Sequence, residues 1–230
     1  MKFYSATKNA SSWAMRAWLA LRAAGAVFEE EVVDIRRPQR FATLARLGAL
    51  SPSASAPLLV VDGAAIFDSL AIMEFANDLC GGQLLPAAPL ARAQARALLA
   101  WQHAGLSGIC RRISFESAFY PLKRPLAPHE VAEAERLLRP LDDHLAANGG
   151  PFLFGALSLA DLALTPTVIR LTRHALDLSG WPRVRAWSEA VLGLPDVVAW
   201  LAEAAALPPI WYDDYLLPGA PIDLAPASIA

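Results

Sequence analysis

Residues 57–72 read PLLVVDGAAIFDSLAI, and this stretch decides the fold. Pro57–Val61 is a short apolar run typical of a strand, the dipeptide Asp62–Gly63 is typical of a tight hairpin turn, and Ala64–Phe67 can return as the paired strand. Asp68–Leu79 then reads as a helix, because an acid and a hydroxyl residue precede an apolar helical pattern. The stretch predicts an antiparallel hairpin that leads directly into a helix.

The residues before this hairpin alternate strand-like and helical runs. Lys2–Ser5 and Phe28–Ile35 are predicted strands, and Ser11–Gly25 and Gln39–Leu47 are predicted helices. The apolar residues within Ser11–Gly25 are distributed around nearly the whole circumference of the predicted helix, which indicates a helix covered on both faces. A βαβ unit implies a parallel strand pair and a hairpin implies antiparallel strands, so we expect a mixed four-stranded sheet in the order βαβ-α-ββα.

The rest of the chain is helical in pattern. We expect an α/β domain over 1–82, a linker over 83–89, an all-helical domain over 90–207 and an irregular tail over 208–230. Leu90–Phe119 reads as one long helix. Further helices are predicted over His129–Ala147, Ser158–Leu171, Trp181–Leu192 and Pro195–Ala206. The fold class is therefore an α/β unit followed by a helical bundle.

The composition excludes several classes of protein. The 230 residues carry 20 Lys and Arg against 22 Asp and Glu, a net charge of −2 that lacks the basic excess of a nucleic-acid-binding domain. Hydrophobic residues make up 55%, which excludes a largely disordered chain. Arg16 and Arg22 interrupt the apolar run Trp13–Phe28, so it is not a membrane span. The histidines and cysteines share no metal-ligand spacing, and we expect a cytoplasmic protein without a metal.

Two short stretches carry candidate binding residues. Ser11 and Ser12 stand at the start of a helix, where a hydroxyl either caps the helix or binds a ligand anion together with the free amides. Asp68 and Ser69 are ordinary capping residues as well. Together they could also bind an amino-acid head group, with Ser69 and the helix amides on the carboxylate and Asp68 on the ammonium. These residues alone leave both interpretations open.

The order of these motifs resembles that of the soluble glutathione transferase superfamily. The matching residues are Ser11–Ser12 with Arg16, Ala56–Pro57, Asp68–Ser69, and Phe152–Gly155 followed by Ser158–Asp161. The resemblance covers nearly the whole chain. It implies a thioredoxin-like domain joined to an all-helical domain, a homodimer, glutathione as co-substrate, and a cytoplasmic role in detoxification.

The resemblance also assigns residues to glutathione. It implies a cis peptide bond at Ala56–Pro57, with the backbone of the residue before the proline pairing with the cysteinyl unit of glutathione. Asp68 and Ser69 would hold the γ-glutamyl head group. Gln39 or Arg40 would approach the glycyl carboxylate.

The resemblance implies a catalytic serine, for which we favour Ser11 and keep Ser12 as the alternative. In members similar to the zeta class the catalytic serine is the first of such a pair, which corresponds to Ser11. In members with a single serine closer to the arginine, that serine corresponds to Ser12. An ordinary thiol, with a pKa near 8.5, is only a few per cent ionised at neutral pH. Lowering that pKa by about two units needs about 2.7 kcal/mol of differential stabilisation. A hydroxyl donor and a helix N-terminus can supply this amount.

The second substrate is expected between the two domains. The predicted lining residues are Trp13, Arg112, Phe115, Phe119 and Tyr120, with ordinary helix packing as the alternative for each. The resemblance thus implies a glutathione transferase that adds the thiolate to a small apolar electrophile. A glutathione-dependent isomerase or lyase, such as a maleylacetoacetate isomerase, and a non-catalytic glutathione- or partner-binding module are the alternatives. Trp13 stands where the zeta pattern has a cysteine, which weighs against that particular isomerase.

Overall fold

The computed structural model describes residues 1–35 and 40–210, and for Arg40, Ser107, Arg111 and Arg112 it describes the backbone only. The predicted binding residue Gln39 and most of the predicted tail lie outside the described residues, as do the side chains of Arg40 and Arg112.

The sheet has four strands in the order β2-β1-β3-β4. The strands are β1 (Lys2–Ala6), β2 (Glu29–Val33), β3 (Leu58–Val61) and β4 (Ala64–Phe67). β1 and β2 run parallel, whereas β3 runs antiparallel to both β1 and β4. The predicted mixed four-stranded sheet is confirmed.

The turn between β3 and β4 takes the conformation that its two residues favour. Asp62 has φ 50° and Gly63 has φ 83°, so both lie in the left-handed region. A two-residue hairpin needs this backbone because its twist then matches the twist of the strands. Val61 therefore pairs directly with Ala64, and this register sets the point at which the next helix begins.

The described part of the chain contains nine α-helices. They are α1 (Ser12–Ala23), α2 (Arg40–Gly48), α3 (Ser69–Leu79), α4 (Pro89–His103), α5 (Ile109–Arg112), α6 (Pro128–Asn148), α7 (Leu159–Arg173), α8 (Pro182–Leu192) and α9 (Pro195–Ala205). None of them is long and apolar enough to span a bilayer.

Helix α1 is covered on both faces, as its apolar pattern predicts. It packs against α3 on the side of the sheet and against α7 and α9 of the helical part. The eight residues 14–21 are all buried. Because α1 joins the two parts of the molecule, its first turn lies where they meet.

The predicted helix over Leu90–Phe119 is wrong, because the chain breaks after α4. Gly105 and Gly108 have φ values of 82° and 103°, in the left-handed region that ends a right-handed helix. Between α4 and residue 120 the chain forms only the short α5 and two 3₁₀ turns, Leu106–Gly108 and Glu116–Phe119. The break exposes the end of α4 to the first turn of α1.

Helix α7 begins at a buried carboxylate. Asp161 accepts hydrogen bonds from the backbone N–H of Ser158 at 2.9 Å and of Leu153 at 3.0 Å, and from the indole of Trp187 at 2.8 Å. The Ser158 hydroxyl also donates to it, at 2.7 Å. One side chain thus joins the preceding loop, α7 and α8, and this network sets the direction of α7.

The loop between β1 and α1 is held by a buried cation. Lys8 is 3% exposed, and its Nζ lies 2.8 Å from Glu203 and 3.3 Å from Glu30. It also sits 4.7 Å from the ring centre of Trp200, whose indole N–H donates to the Lys8 carbonyl at 3.0 Å. These contacts tie the loop that precedes Ser11 to helix α9.

Candidate functional site

The first turn of α1 presents two hydroxyls in different environments. Ser11 is the N-cap and is 5% exposed, and its Oγ accepts the backbone N–H of Ala14 at 3.1 Å. Ser12 is partly exposed, and its Oγ accepts a hydrogen bond from Nη2 of Arg170 at 3.1 Å. Ser11 therefore stabilises the helix end, whereas Ser12 faces the helical part of the molecule.

A second cluster connects α1 to the start of α3. Arg16 is 2% exposed, and its guanidinium donates to Ser69 Oγ through Nε at 3.0 Å and through Nη2 at 2.6 Å. Burial lowers the pKa of Arg16 to about 10, so the group is still a cation at neutral pH. Because Ser69 accepts twice from this cation, its own hydroxyl hydrogen is left to donate elsewhere.

His103 at the end of α4 completes this cluster. Its Nδ1 lies 2.9 Å from Nη2 of Arg16, and since a guanidinium has only donors, Nδ1 must be the acceptor. The ring proton is then on Nε2, which lies 3.6 Å from Oδ2 of Asp68. The histidine thus links the buried cation to the carboxylate at the start of α3.

Asp68 adopts a backbone conformation that is costly for its residue type. Its φ of 73° is in the region that favours glycine, and its side chain accepts the N–H of Leu70 at 2.7 Å. Such outliers cost about 1–3 kcal/mol and cluster at ligand sites. The side chain of Asp68 is 46% exposed, so its carboxylate remains accessible to a ligand.

The strand-side cavity has a volume of about 420 Å³ and lies at the first turn of α1. Its lining includes Ser11 and Ser12, Ser55 and Ala56 before β3, and Phe115 and Arg170 from the helical part. The peptide bond between Ala56 and Pro57 is cis. The cavity therefore brings the serine pair, the residue before the cis proline and helix α7 to one place.

The helix-side cavity, of about 540 Å³, opens where α4 is broken. Arg16, His103, Gly105 and Gly108 line it. The two cavities share Ser12, Trp13, Cys110 and Arg170. Both volumes are typical of small-molecule sites.

The structure separates the residues predicted to line the electrophile pocket into two groups. Trp13 is 42% exposed and lines both cavities, and Phe115 lines the strand-side cavity. Phe119 and Tyr120 line neither cavity. Phe119 packs under the guanidinium of Arg173 at 4.5 Å, and the hydroxyl of Tyr120 donates to the carbonyl of Ile210 at 2.9 Å.

Sequence reasoning missed Arg170 and His103. Arg170 follows the apolar pair Val168–Ile169 in α7, whose residues 159–171 are all buried, and a charged residue within such a helix is a recognisable signal of a functional role. His103 could not have been found in this way, because its position depends on the break after α4.

Two family models match this chain. The model for the glutathione S-transferase N-terminal domain matches residues 10–79, and the model for the glutathione S-transferase C-terminal domain matches residues 124–190. The chain belongs to the glutathione S-transferase family. It is accordingly a glutathione-dependent enzyme, with glutathione as its co-substrate.

Individual relatives agree with this family. The chain is 29% identical over 203 residues to a probable maleylacetoacetate isomerase of Caenorhabditis elegans, covering 85% of this chain and 90% of the relative. It is 27% identical over 195 residues to the maleylacetoacetate isomerase of Rattus norvegicus, covering 83% and 87%. A sphingomonad glutathione S-transferase, solved in complex with glutathione, shares the fold with a TM-score of 0.64 at 23% identity, covering 90% of this chain and 100% of that one.

Proposed function

We propose that this glutathione S-transferase ionises the thiol of glutathione at the first turn of α1 and directs the thiolate at a small apolar electrophile. The observation that supports this most strongly is the strand-side cavity, in which Ser11, Ser12 and Ala56 lie together. A peptide thiol bound along Ala56 would meet a hydroxyl and free helix amides. Both favour an anion over a neutral thiol.

The γ-glutamyl head group of glutathione is proposed to bind at the start of α3. Ser69 and the free amides of α3 would hold its carboxylate, because the Ser69 hydroxyl already accepts twice from Arg16 and can only donate further. The exposed carboxylate of Asp68 would pair with the ammonium group. The strained backbone of Asp68 is consistent with a residue positioned for a ligand.

Of the two serines, we propose that Ser12 faces the thiolate. Ser12 lines both cavities and is not committed to the helix cap, whereas Ser11 is buried and accepts the Ala14 amide. The resemblance to the zeta class favours Ser11, with Ser12 as the alternative, so the two assignments can be compared directly.

The test is turnover with an activated aryl halide as the electrophile. Ser12→Ala should lower kcat by about 10²- to 10³-fold, the range found for losing one donor to a developing anion, and leave glutathione affinity unchanged. Ser11→Ala is the matched control, and should lower thermal stability more than kcat. The opposite pattern would return the role to Ser11, and unchanged kcat in both variants would contradict thiol activation by either serine.

A glutathione-dependent isomerase is the second candidate, and the named relatives favour it. In such a reaction the thiolate adds to a carbon–carbon double bond, the bond rotates, and elimination restores the thiolate. Glutathione is therefore not consumed. Incubation with maleylacetoacetate, with product and free thiol both measured, separates the two reactions: an isomerase converts many equivalents of substrate at constant thiol.

Several further assignments are part of this proposal. These are the homodimer, the cytoplasmic location, the role in detoxification, Gln39 or Arg40 on the glycyl carboxylate, Trp13 and Phe115 against the electrophile, and the domain limits 1–82 and 90–207. A sedimentation measurement tests the first of them, since a species of 24.7 kDa would be a monomer.

A further inference from the structure

Helix α7 carries a buried cation, Arg170, that faces the candidate site. Arg170 is 4% exposed, and none of the ion pairs formed among the described residues includes it. Its Nε and Nη1 groups have no hydrogen-bond partner there either. Nη2 donates to Ser12 at 3.1 Å, and the guanidinium lies 5.4 Å from the ring centre of Phe115.

Such an arrangement is expensive for folding alone. A buried charge that lacks a partner costs several kcal/mol, and proteins normally pair it or replace it with an apolar residue. Arg170 lines both cavities. A cation retained at this position is therefore explained by an anion that arrives with a ligand.

We propose that Arg170 is a positioning residue for Ser12 and that its charge stabilises the glutathione thiolate. This inference rests on the proposed function above. It adds that the helical part of the molecule, through α7, contributes to the ionisation of a thiol bound by the α/β part.

The geometry gives the physical reason. Because Ser12 Oγ accepts a hydrogen bond from the guanidinium, its own hydrogen is directed away from Arg170 and can donate to sulfur. The thiol proton of glutathione leaves to solvent, the serine hydrogen stays on Oγ, and the negative charge remains on sulfur. A hydroxyl that accepts from a cation is also a stronger donor.

Other charged and titratable groups face the same space. Arg16 comes from α1, His103 from the end of α4 and Cys110 from α5, all lining the helix-side cavity. Glu116, an acidic residue from the second 3₁₀ turn, also lines the strand-side cavity. Arg16 is already bound to Ser69 and His103, so among the described side chains Arg170 is the cation bonded to Ser12.

The test is the pKa of bound glutathione, measured from thiolate absorbance during a pH titration. Arg170→Met should raise this pKa by about 1–2 units relative to the parent protein, the range expected for losing one nearby opposite charge. Arg170→Lys, which keeps the charge but loses the planar guanidinium, should give a thiol pKa between those of Arg170→Met and the parent protein. Glutathione affinity at pH 5.5, where the thiol is neutral, should be the same in all three proteins.

The matched control is Arg173→Met, one turn further along α7, where the guanidinium packs on Phe119. This variant should leave the thiol pKa unchanged. Arg170→Met should also melt at or above the temperature of the parent protein, because it removes a buried charge that has no carboxylate partner among the described residues. In a Ser12→Ala background the effect of Arg170→Met should shrink, since the two residues act together.

The outcomes separate this inference from the proposed function. A thiol pKa that is lowered in the parent protein and equally low in Arg170→Met overturns the role of Arg170 only. A thiol pKa that is not lowered in the parent protein overturns thiol activation itself. Should Arg170→Met fail to fold, Arg170→Gln, which also removes the charge but keeps N–H donors near Ser12, takes its place. An unraised thiol pKa in that variant overturns the role of Arg170.

Discussion

Arg16 of α1 donates two hydrogen bonds to the hydroxyl of Ser69 on α3, at 3.0 and 2.6 Å. Both residues are at least 98% buried. The pair joins the helix that carries the serines to the helix whose N-terminus is proposed to bind the γ-glutamyl carboxylate. The two ends of the proposed glutathione site are therefore fixed relative to each other by one buried contact.

Removing this contact should weaken glutathione binding. Ser69→Ala deletes a donor to the ligand and leaves two Arg16 N–H groups without their acceptor, so we expect a loss of roughly 2 kcal/mol in binding, or about thirtyfold in Kd. Calorimetric titration with glutathione measures it. Ser188→Ala is the matched control, because Ser188 is a similarly buried serine on α8, and an equal loss in that variant would contradict the prediction.

The carboxylate of Asp161 should be a main determinant of stability. Asp161→Ala leaves three N–H donors without an acceptor, those of Leu153, Ser158 and Trp187. Each such group costs about 1–3 kcal/mol, so we expect unfolding to become easier by at least about 3 kcal/mol. Urea denaturation gives this value, and a loss below about 1 kcal/mol would show that water replaces the carboxylate.

Glu130 at the start of α6 should make stability depend on pH in the acid range. Burial opposes ionisation, but hydrogen bonds from Arg124 and from the Ala127 amide outweigh it and lower the pKa of Glu130. A lowered folded-state pKa adds stability above the ordinary value of about 4.3, and this stability is lost as the pH falls through the folded-state pKa.

Glu130→Gln is the variant that tests this dependence. It should unfold more easily at pH 7 by about 1–3 kcal/mol, and the difference from the parent protein should shrink towards pH 3. Denaturation at several pH values measures both. A difference that stays constant with pH would mean that the charge of Glu130 contributes nothing.

The cation Lys8 should hold the loop that leads to the serines. Trp200→Leu removes an aromatic face 4.7 Å from Lys8 Nζ and the indole donor to the Lys8 carbonyl. We expect a stability loss of about 3 kcal/mol, as for other large-to-small core changes. Because the amides of Ala10 and Ser11 in this loop both donate to the Thr7 carbonyl, their hydrogen exchange should accelerate more than that of amides in α6.

Local patterns predicted the α/β part of the fold well. The Asp62–Gly63 turn, the flanking strands and the all-round apolar α1 are set by neighbours in sequence, and each was found within a few residues of its predicted limits. The prediction of one long helix from Leu90 was wrong because the local sequence pattern does not show where that helix ends. An apolar helical pattern continues through Gly105 and Gly108, and only their left-handed backbone shows that the helix has ended.

Only the part of the candidate site that lies in the α/β region was predictable from the sequence. Ser11, Ser12, Asp68 and Ser69 are marked by helix starts, which short stretches of sequence reveal. Arg170 is more than 150 residues from Ser12 along the chain, and only packing of α7 against α1 brings them together. The environment that distinguishes Ser12 from Ser11 depends on that packing, so local sequence could not decide between them.

The most direct test of the central claim is the ultraviolet difference spectrum of glutathione bound to the parent protein, titrated from pH 5 to 9. Thiol activation predicts a thiolate band that appears with an apparent pKa at least about one unit below the free value of about 8.5. A bound thiol that ionises at the free value would contradict the account, because the first turn of α1 would then bind glutathione without activating it.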